Sequence, residues 1–218
     1  MQFLFVLADR QEYIKELERL QLNTNRVFLS LKDKDGRLYV LKETKIMVDD
    51  QKIKQEAISR FIDNYLAGKV NQYIRSEEVP EEDFDRNVRV VVGENFQNAI
   101  MEAKTSVLLL VYSTSHPGSA TQDASIHETF SKVGEVFKDS EDVLIAKVEG
   151  TLNEIFPHFH SHTYPKIYFL PAQKKHEAVA FGGSVTVEEL VKFAKEGVEK
   201  AKQETQEKQE STEEKKDL

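Results

Sequence analysis

With 218 residues, 39% of them hydrophobic and 31% charged, the chain is long enough for one large or two small domains with a heavily solvated exterior. Its net charge of −8, with Lys and Arg interleaved by Asp and Glu throughout, argues against nucleic-acid binding, and no apolar run approaches the roughly 20 residues of a membrane span. Cysteine is absent, which removes disulfides, thiolate metal sites and every thiol mechanism from these residues without deciding the redox compartment.

In chain order, Phe3–Ala8 reads as a buried strand. The run from Met1 to Ala8 has no basic start and is too short for a secretory signal. Tyr13, Leu17 and Leu20 at helical spacing predict a short amphipathic helix over 12–21. Two strand-like runs, 26–31 and 37–41, flank Lys32-Asp33-Lys34-Asp35-Gly36, where Asp-Gly signals a hairpin because glycine tolerates positive φ. Ile53, Ala57, Ile58, Phe61, Ile62 and Tyr65 then mark one face of a helix that Gly68 closes. Residues 70–86, with Ser-Glu-Glu-Val-Pro-Glu-Glu-Asp, are acidic and poor in apolar side chains, and read as a linker with a proline-directed turn.

A second unit follows. Strands are expected at 88–92, 107–112 and 143–148, an antiparallel pair at 167–170 and 178–181, and helices at 96–101, 126–137 and 153–159. Thr186-Val187-Glu188-Glu189 is a capping box opening a last helix to about Lys202. The pattern is βαβαβα-ββα, an α/β sheet covered on both faces. Val107-Leu108-Leu109-Leu110-Val111-Tyr112 is the most apolar strand and belongs at the sheet centre. The loop at its C-terminal end is where such folds place chemistry, and here it is Ser113, Thr114, Ser115, His116, Pro117, Gly118 and Ser119, continuing to Asp123 without a thiol.

Taken together, Val90-Val91-Val92-Gly93-Glu94-Asn95-Phe96, Val107–Tyr112, Ile145-Ala146-Lys147-Val148, Thr163-Tyr164-Pro165 and Phe181-Gly182-Gly183 resemble a thioredoxin-like domain of the protein disulfide isomerase family, closest to its C-terminal catalytic domain. Phe61-Ile62-Asp63-Asn64-Tyr65-Leu66-Ala67-Gly68-Lys69 resembles the preceding domain, which carries the peptide-binding surface. The resemblance implies an incomplete thioredoxin-like unit over 1–75 that Met1 enters in mid-domain, an acidic connector over 76–87, a complete thioredoxin-like domain over 88–202, each with a mixed central sheet, and a charged helix or tail over 203–218. It also implies that Tyr164–Pro165 is a cis-proline loop beside Ser113–Asp123, and that Phe61, Ile62, Tyr65 and Leu66 contribute to peptide binding. Where the family carries a Trp-Cys-Gly-His-Cys redox site this chain has no cysteine, and Leu110 stands where the family has a buried Glu, leaving Lys147 to snorkel to solvent.

Three further features carry less. His158, His160 and His162 alternate and would share one face if extended, but no acidic ligand accompanies them. His116 beside Ser115 lacks an orienting acid for Ser–His catalysis. Lys215-Lys216-Asp217-Leu218 resembles the Lys-Asp-Glu-Leu retrieval signal of the endoplasmic reticulum, with Lys216 where an acid is usual. The expected protein is thus a redox-inactive chaperone of the endoplasmic reticulum lumen without cofactor or metal. Its partners would be unfolded or extended polypeptides and a retrieval receptor, with neither nucleic acid nor membrane. The alternatives are the C-terminal part of a longer thiol–disulfide isomerase with cysteines upstream, and a luminal calcium-binding or scaffold protein.

Overall fold

The structure, a computed structural model, describes Leu4, Val6, Asp9 and residues 11–20, 22, 29–41, 47–49, 52–114, 119–156, 159 and 163–213. Contacts divide the chain into two units, Met1–Arg75 and Ser76–Leu218. No helix among the described residues is long and apolar enough to cross a membrane.

In the first unit, α1 (Ile14–Arg19) precedes an antiparallel hairpin of β1 (Leu29–Lys32) and β2 (Leu38–Leu41). Its turn forms as the Asp-Gly signal requires: Gly36 has φ +82°, and Asp33 Oδ1 accepts from the amides of Asp35 and Arg37, both at 2.9 Å. A second, unexpected small hairpin pairs β3 (Met47–Asp49) with β4 (Lys52–Ile53). Helix α2 (Gln55–Leu66) turns Ala57 and Phe61 inward and ends on Gly68 at φ +67°. There Lys69 N donates to Asn64 O at 2.8 Å and Gly68 N to Tyr65 O at 3.0 Å, a Schellman closure. The buried strand expected at Phe3–Ala8 does not form where it is described: Leu4 and Val6 are outside any strand and 90% and 76% exposed. A strand buried on both faces needs neighbours on each side, and among the described residues none pairs with this one.

The second unit is built on a six-stranded sheet in the order β10-β9-β7-β8-β6-β5. Its strands are β5 (Phe84–Asp85), β6 (Val88–Val91), β7 (Ser106–Tyr112), β8 (Val143–Glu149), β9 (Lys166–Leu170) and β10 (Val179–Ala180). Strands β6, β8 and β7 run parallel, while β9 is antiparallel beside β7. Helix α3 (Gly93–Phe96) runs into a wider π turn over Gln97–Met101, and α4 (Ser119–Phe137) and α5 (Val187–Glu213) complete the layers. This strand order, with one antiparallel strand entering beside the central one, is the thioredoxin-like fold.

Period-two alternation in β7 splits the core. Leu108 and Leu110 face one cluster with Phe130, Val133 and Leu190, whereas Val107, Leu109 and Val111 face another with Phe96, Ile100 and Phe159. Val107 through Val111 are all fully buried, each contributing about 1.5–3 kcal/mol of transfer free energy, which keeps this strand at the centre.

Three expectations need correction. Residues 76–87 are not a free linker, because Glu77 is hydrogen-bonded to Asn153 and Phe84–Asp85 form an edge strand on β6. The loop after β7 is shorter than 113–123, since α4 already begins at Ser119. The helix expected at 153–159 is absent from its described part 153–156, where a bend at Asn153 leads into irregular backbone, the residue before Pro157 being biased away from helical angles; Phe159 N donates to Phe156 O at 2.9 Å, and Pro157 and His158 lie outside the described residues. As the charged helix or tail expected over 203–218 implies, α5 continues past Lys202 to Glu213, held by Lys202–Asp142 and Lys174–Glu204 ion pairs, both at 2.7 Å. Its start carries half of the expected box, Glu189 N donating to Thr186 Oγ1 at 3.3 Å.

Candidate functional site

The site lies where the C-terminal ends of β7 and β8 meet the start of β9. Parallel strands leave unpaired backbone at that end, and the residues just beyond must be held by side chains. Here the holding group is Glu149, the last residue of β8, which is only 2% exposed. One carboxylate oxygen, Oε1, accepts from Thr114 N at 2.8 Å and from Thr151 Oγ1 at 2.7 Å. The other, Oε2, accepts from Thr151 N at 2.7 Å and Leu152 N at 2.5 Å. A buried carboxylate is tolerated because its lone pairs are occupied by oriented donors. The result is a clamp between the loop after β7 and the turn after β8.

Gly150 follows, and only glycine fits there. A Cβ would stand 2.7 Å from Val111 Cγ1 and 3.0 Å from the Tyr164 ring. That contact seats the Tyr164 ring beside the end of β7. The Tyr164–Pro165 peptide bond is cis, Tyr164 and Pro165 are half-buried, and Thr163 is exposed. Nearby, burial raises the Tyr168 hydroxyl above the ordinary tyrosine range, with the Tyr164 phenol adding to the effect.

Of the loop expected to replace the redox site, Ser113 is buried and Thr114 exposed, while Ser119 opens α4. Ser115, His116, Pro117 and Gly118 lie outside the described residues, as do His158, His160, His162 and the segment Lys215, Lys216, Asp217 and Leu218. Structure thus brings Ser113 and Thr114 toward Tyr164–Pro165 through Glu149 and Gly150.

In the first unit, Phe61 is 3% exposed and therefore core, Ile62 and Tyr65 are half-buried, and Leu66 is exposed. Tyr65 packs edge-on against Tyr39, ring centroids 4.9 Å apart. The quartet is not a single exposed surface, because helical spacing sends Phe61 inward and Leu66 outward.

Leu110 is fully buried and registers against Lys147 on β8. Lys147 does not snorkel freely: its ammonium meets Asp85 Oδ2 at 2.5 Å across β6. That hydrogen bond holds the Asp85 carboxyl below the usual carboxylate range, with Lys147, Arg86 and His127 adding Coulombic attraction. On the same side of the sheet, His127 of α4 packs edge-on against Tyr112, centroids 4.5 Å apart.

Sequence reasoning missed Glu149, Gly150, Asn153 and Asp85. The available signal was an acid ending an otherwise apolar strand, followed by Gly-Thr-Leu-Asn, which reads equally well as an ordinary turn. Asn153 is fully buried.

No family model matches the chain. Among curated proteins it is 30% identical to protein disulfide-isomerase of Oryctolagus cuniculus, over 89% of this chain and 36% of that protein. It is 28% identical to protein disulfide-isomerase A4 of Rattus norvegicus, over 89% of this chain and 29% of that protein. The solved first thioredoxin domain of mouse protein disulfide-isomerase A4 aligns at 28% identity with a TM-score of 0.44, covering 56% of this chain and 86% of that domain. The chain therefore spans about a third of the length of the curated relatives it matches. Over most of its length this chain is a sequence relative of the protein disulfide isomerase family, and its second unit has the thioredoxin-like strand order.

Proposed function

We propose that this chain binds unfolded or extended polypeptide without thiol chemistry, as a redox-inactive protein of the disulfide isomerase family in the lumen of the endoplasmic reticulum. The observation that carries the reading is a loop clamped beside a cis-proline with no sulfur nucleophile. Glu149 and Gly150 hold the loop after β7 beside the cis Tyr164–Pro165 bond, and the chain contains no cysteine. Thiol–disulfide exchange requires a thiolate, so these residues cannot perform it. Backbone beside a cis-proline can still pair with an extended strand, which gives broad, weak recognition. Localisation rests on the family relationship and on the resemblance of Lys215-Lys216-Asp217-Leu218 to a retrieval signal.

The test is a binding titration with an alkylated, unfolded polypeptide, run beside insulin reduction on the same sample. Saturable binding in the micromolar range without reduction supports the proposal; absence of binding overturns it. A secreted reporter ending in Lys-Lys-Asp-Leu tests the address, with retention expected and full secretion refuting it.

The chain covers only 36% of its rabbit relative, which favours a second reading: these residues form part of a longer thiol–disulfide isomerase whose cysteines lie elsewhere. Isomerase activity in the longer product, absent from this chain alone, would distinguish the two.

A further inference from the structure

Asn153 sits at the centre of a buried polar junction and is fully excluded from solvent. Its Oδ1 accepts from Glu77 N at 2.9 Å and from Gly93 N at 2.8 Å. Its Nδ2 donates to Glu77 Oε2 at 2.7 Å and to Glu149 O at 3.0 Å. The partners fix the amide's orientation, because two N–H donors face the oxygen and two oxygens face the nitrogen. Beside it, Ser76 Oγ donates to Glu77 O at 2.7 Å and accepts from Glu94 N at 3.0 Å. The first residues of the second unit are thereby fastened to the start of α3 and to the turn after β8. That same turn carries the Glu149 carboxylate, which holds Thr114 N at 2.8 Å.

We propose that Asn153 is a positioning residue coupling the segment Ser76–Glu77 to the loop after β7, through Glu149. Residues 77, 153, 149 and 114 then form one continuous hydrogen-bonded path from the beginning of the second unit to the candidate site. Every bond in it is buried or half-buried, so each is stronger than an exposed bond and costly to leave half-made. Loss of the Glu77 carboxylate removes one acceptor of Asn153 Nδ2 and lets the amide shift, the Glu149 backbone loses its side-chain donor, and the Glu149 carboxylate no longer stays aligned on Thr114. The state of Ser76–Glu77 therefore sets how firmly the loop is held.

Amide hydrogen exchange on the full chain tests this, with Glu77→Ala as the main variant and Asn153→Asp as the second. Asn153→Asp removes both Nδ2 donations and places a third carboxylate between Glu77 and Glu149. Glu77→Ala is expected to accelerate exchange about tenfold at Thr114, Thr151 and Leu152 as well as at Gly93, with Leu108 in the centre of β7 unchanged. Equal acceleration at Leu108 would mean general destabilisation and overturn the coupling, as would acceleration confined to Gly93 and residue 77. If Asn153→Asp fails to fold, Glu77→Ala alone decides. Client binding does not enter the measurement, so its result stands apart from the proposed function.

Discussion

Replacing Glu149 with glutamine isolates the clamp on the site loop. The change conserves volume, so any effect comes from exchanging one carboxylate oxygen for an amide nitrogen. At the Oε2 position that nitrogen would confront two backbone N–H groups, of Thr151 and Leu152. At Oε1 it would confront the Thr114 N–H and the Thr151 hydroxyl, and the hydroxyl can rotate to accept. The second orientation is the less costly, so the loss should fall on Thr114. Losing one bond to a charged acceptor while leaving its donor half-buried costs about 2–3 kcal/mol. Urea unfolding monitored by circular dichroism should show that decrease, and the Thr114 amide should lose at least tenfold of its exchange protection while Thr151 and Leu152 keep most of theirs. A variant within about 0.5 kcal/mol of the parent, with Thr114 protection intact, would refute the clamp, since surface changes typically fall in that range.

Gly150→Ala should cost about 1–3 kcal/mol in thermal unfolding, because its methyl would stand 2.7 Å from Val111 Cγ1 and displace the Tyr164 ring; an unchanged melting temperature would contradict that contact. Lys175 is 3% exposed, donates to Thr105 O, and burial pulls its ammonium from 10.5 down to about 8. The folded state then resists protonation more than the unfolded state does, so parent stability should rise as pH climbs from about 8 through 10.5. At about 1.4 kcal/mol per tenfold in proton affinity, roughly halved for residual screening, Lys175→Met should gain about 1–2 kcal/mol at pH 7 and lose that advantage above pH 10.5. Denaturant midpoints measured across that range check both the sign and the window. Asp85→Asn should remove a stabilisation that is present above the ordinary carboxylate range and lost as pH falls below it, worth under about 1 kcal/mol because Asp85 is half exposed; acid titrations of the two proteins should converge at the lowest pH.

Local signals made much of the architecture legible. Six consecutive apolar residues from Val107 to Tyr112 demanded a doubly covered strand, Asp35-Gly36 demanded a tight hairpin, Gly68 closed a helix, and Thr186 opened one. Each of these depends on neighbours within a few positions, so spacing and backbone preference suffice to place it. The absence of cysteine was likewise legible from composition alone.

Only the tertiary structure decided how the site is held. Glu149 reaches Thr114 across 35 positions, Lys147 reaches Asp85 across 62, and Asn153 reaches Glu77 across 76. No periodicity encodes such pairs, because they come from strands brought together by sheet order rather than by adjacency. The acidic run read as a linker became an edge strand and a fastening point for the same reason: its few polar groups find partners only once β6, β8 and α3 are in place. An apolar pattern determines which segments must be buried, whereas the directional geometry of buried hydrogen bonds determines which polar residues meet there.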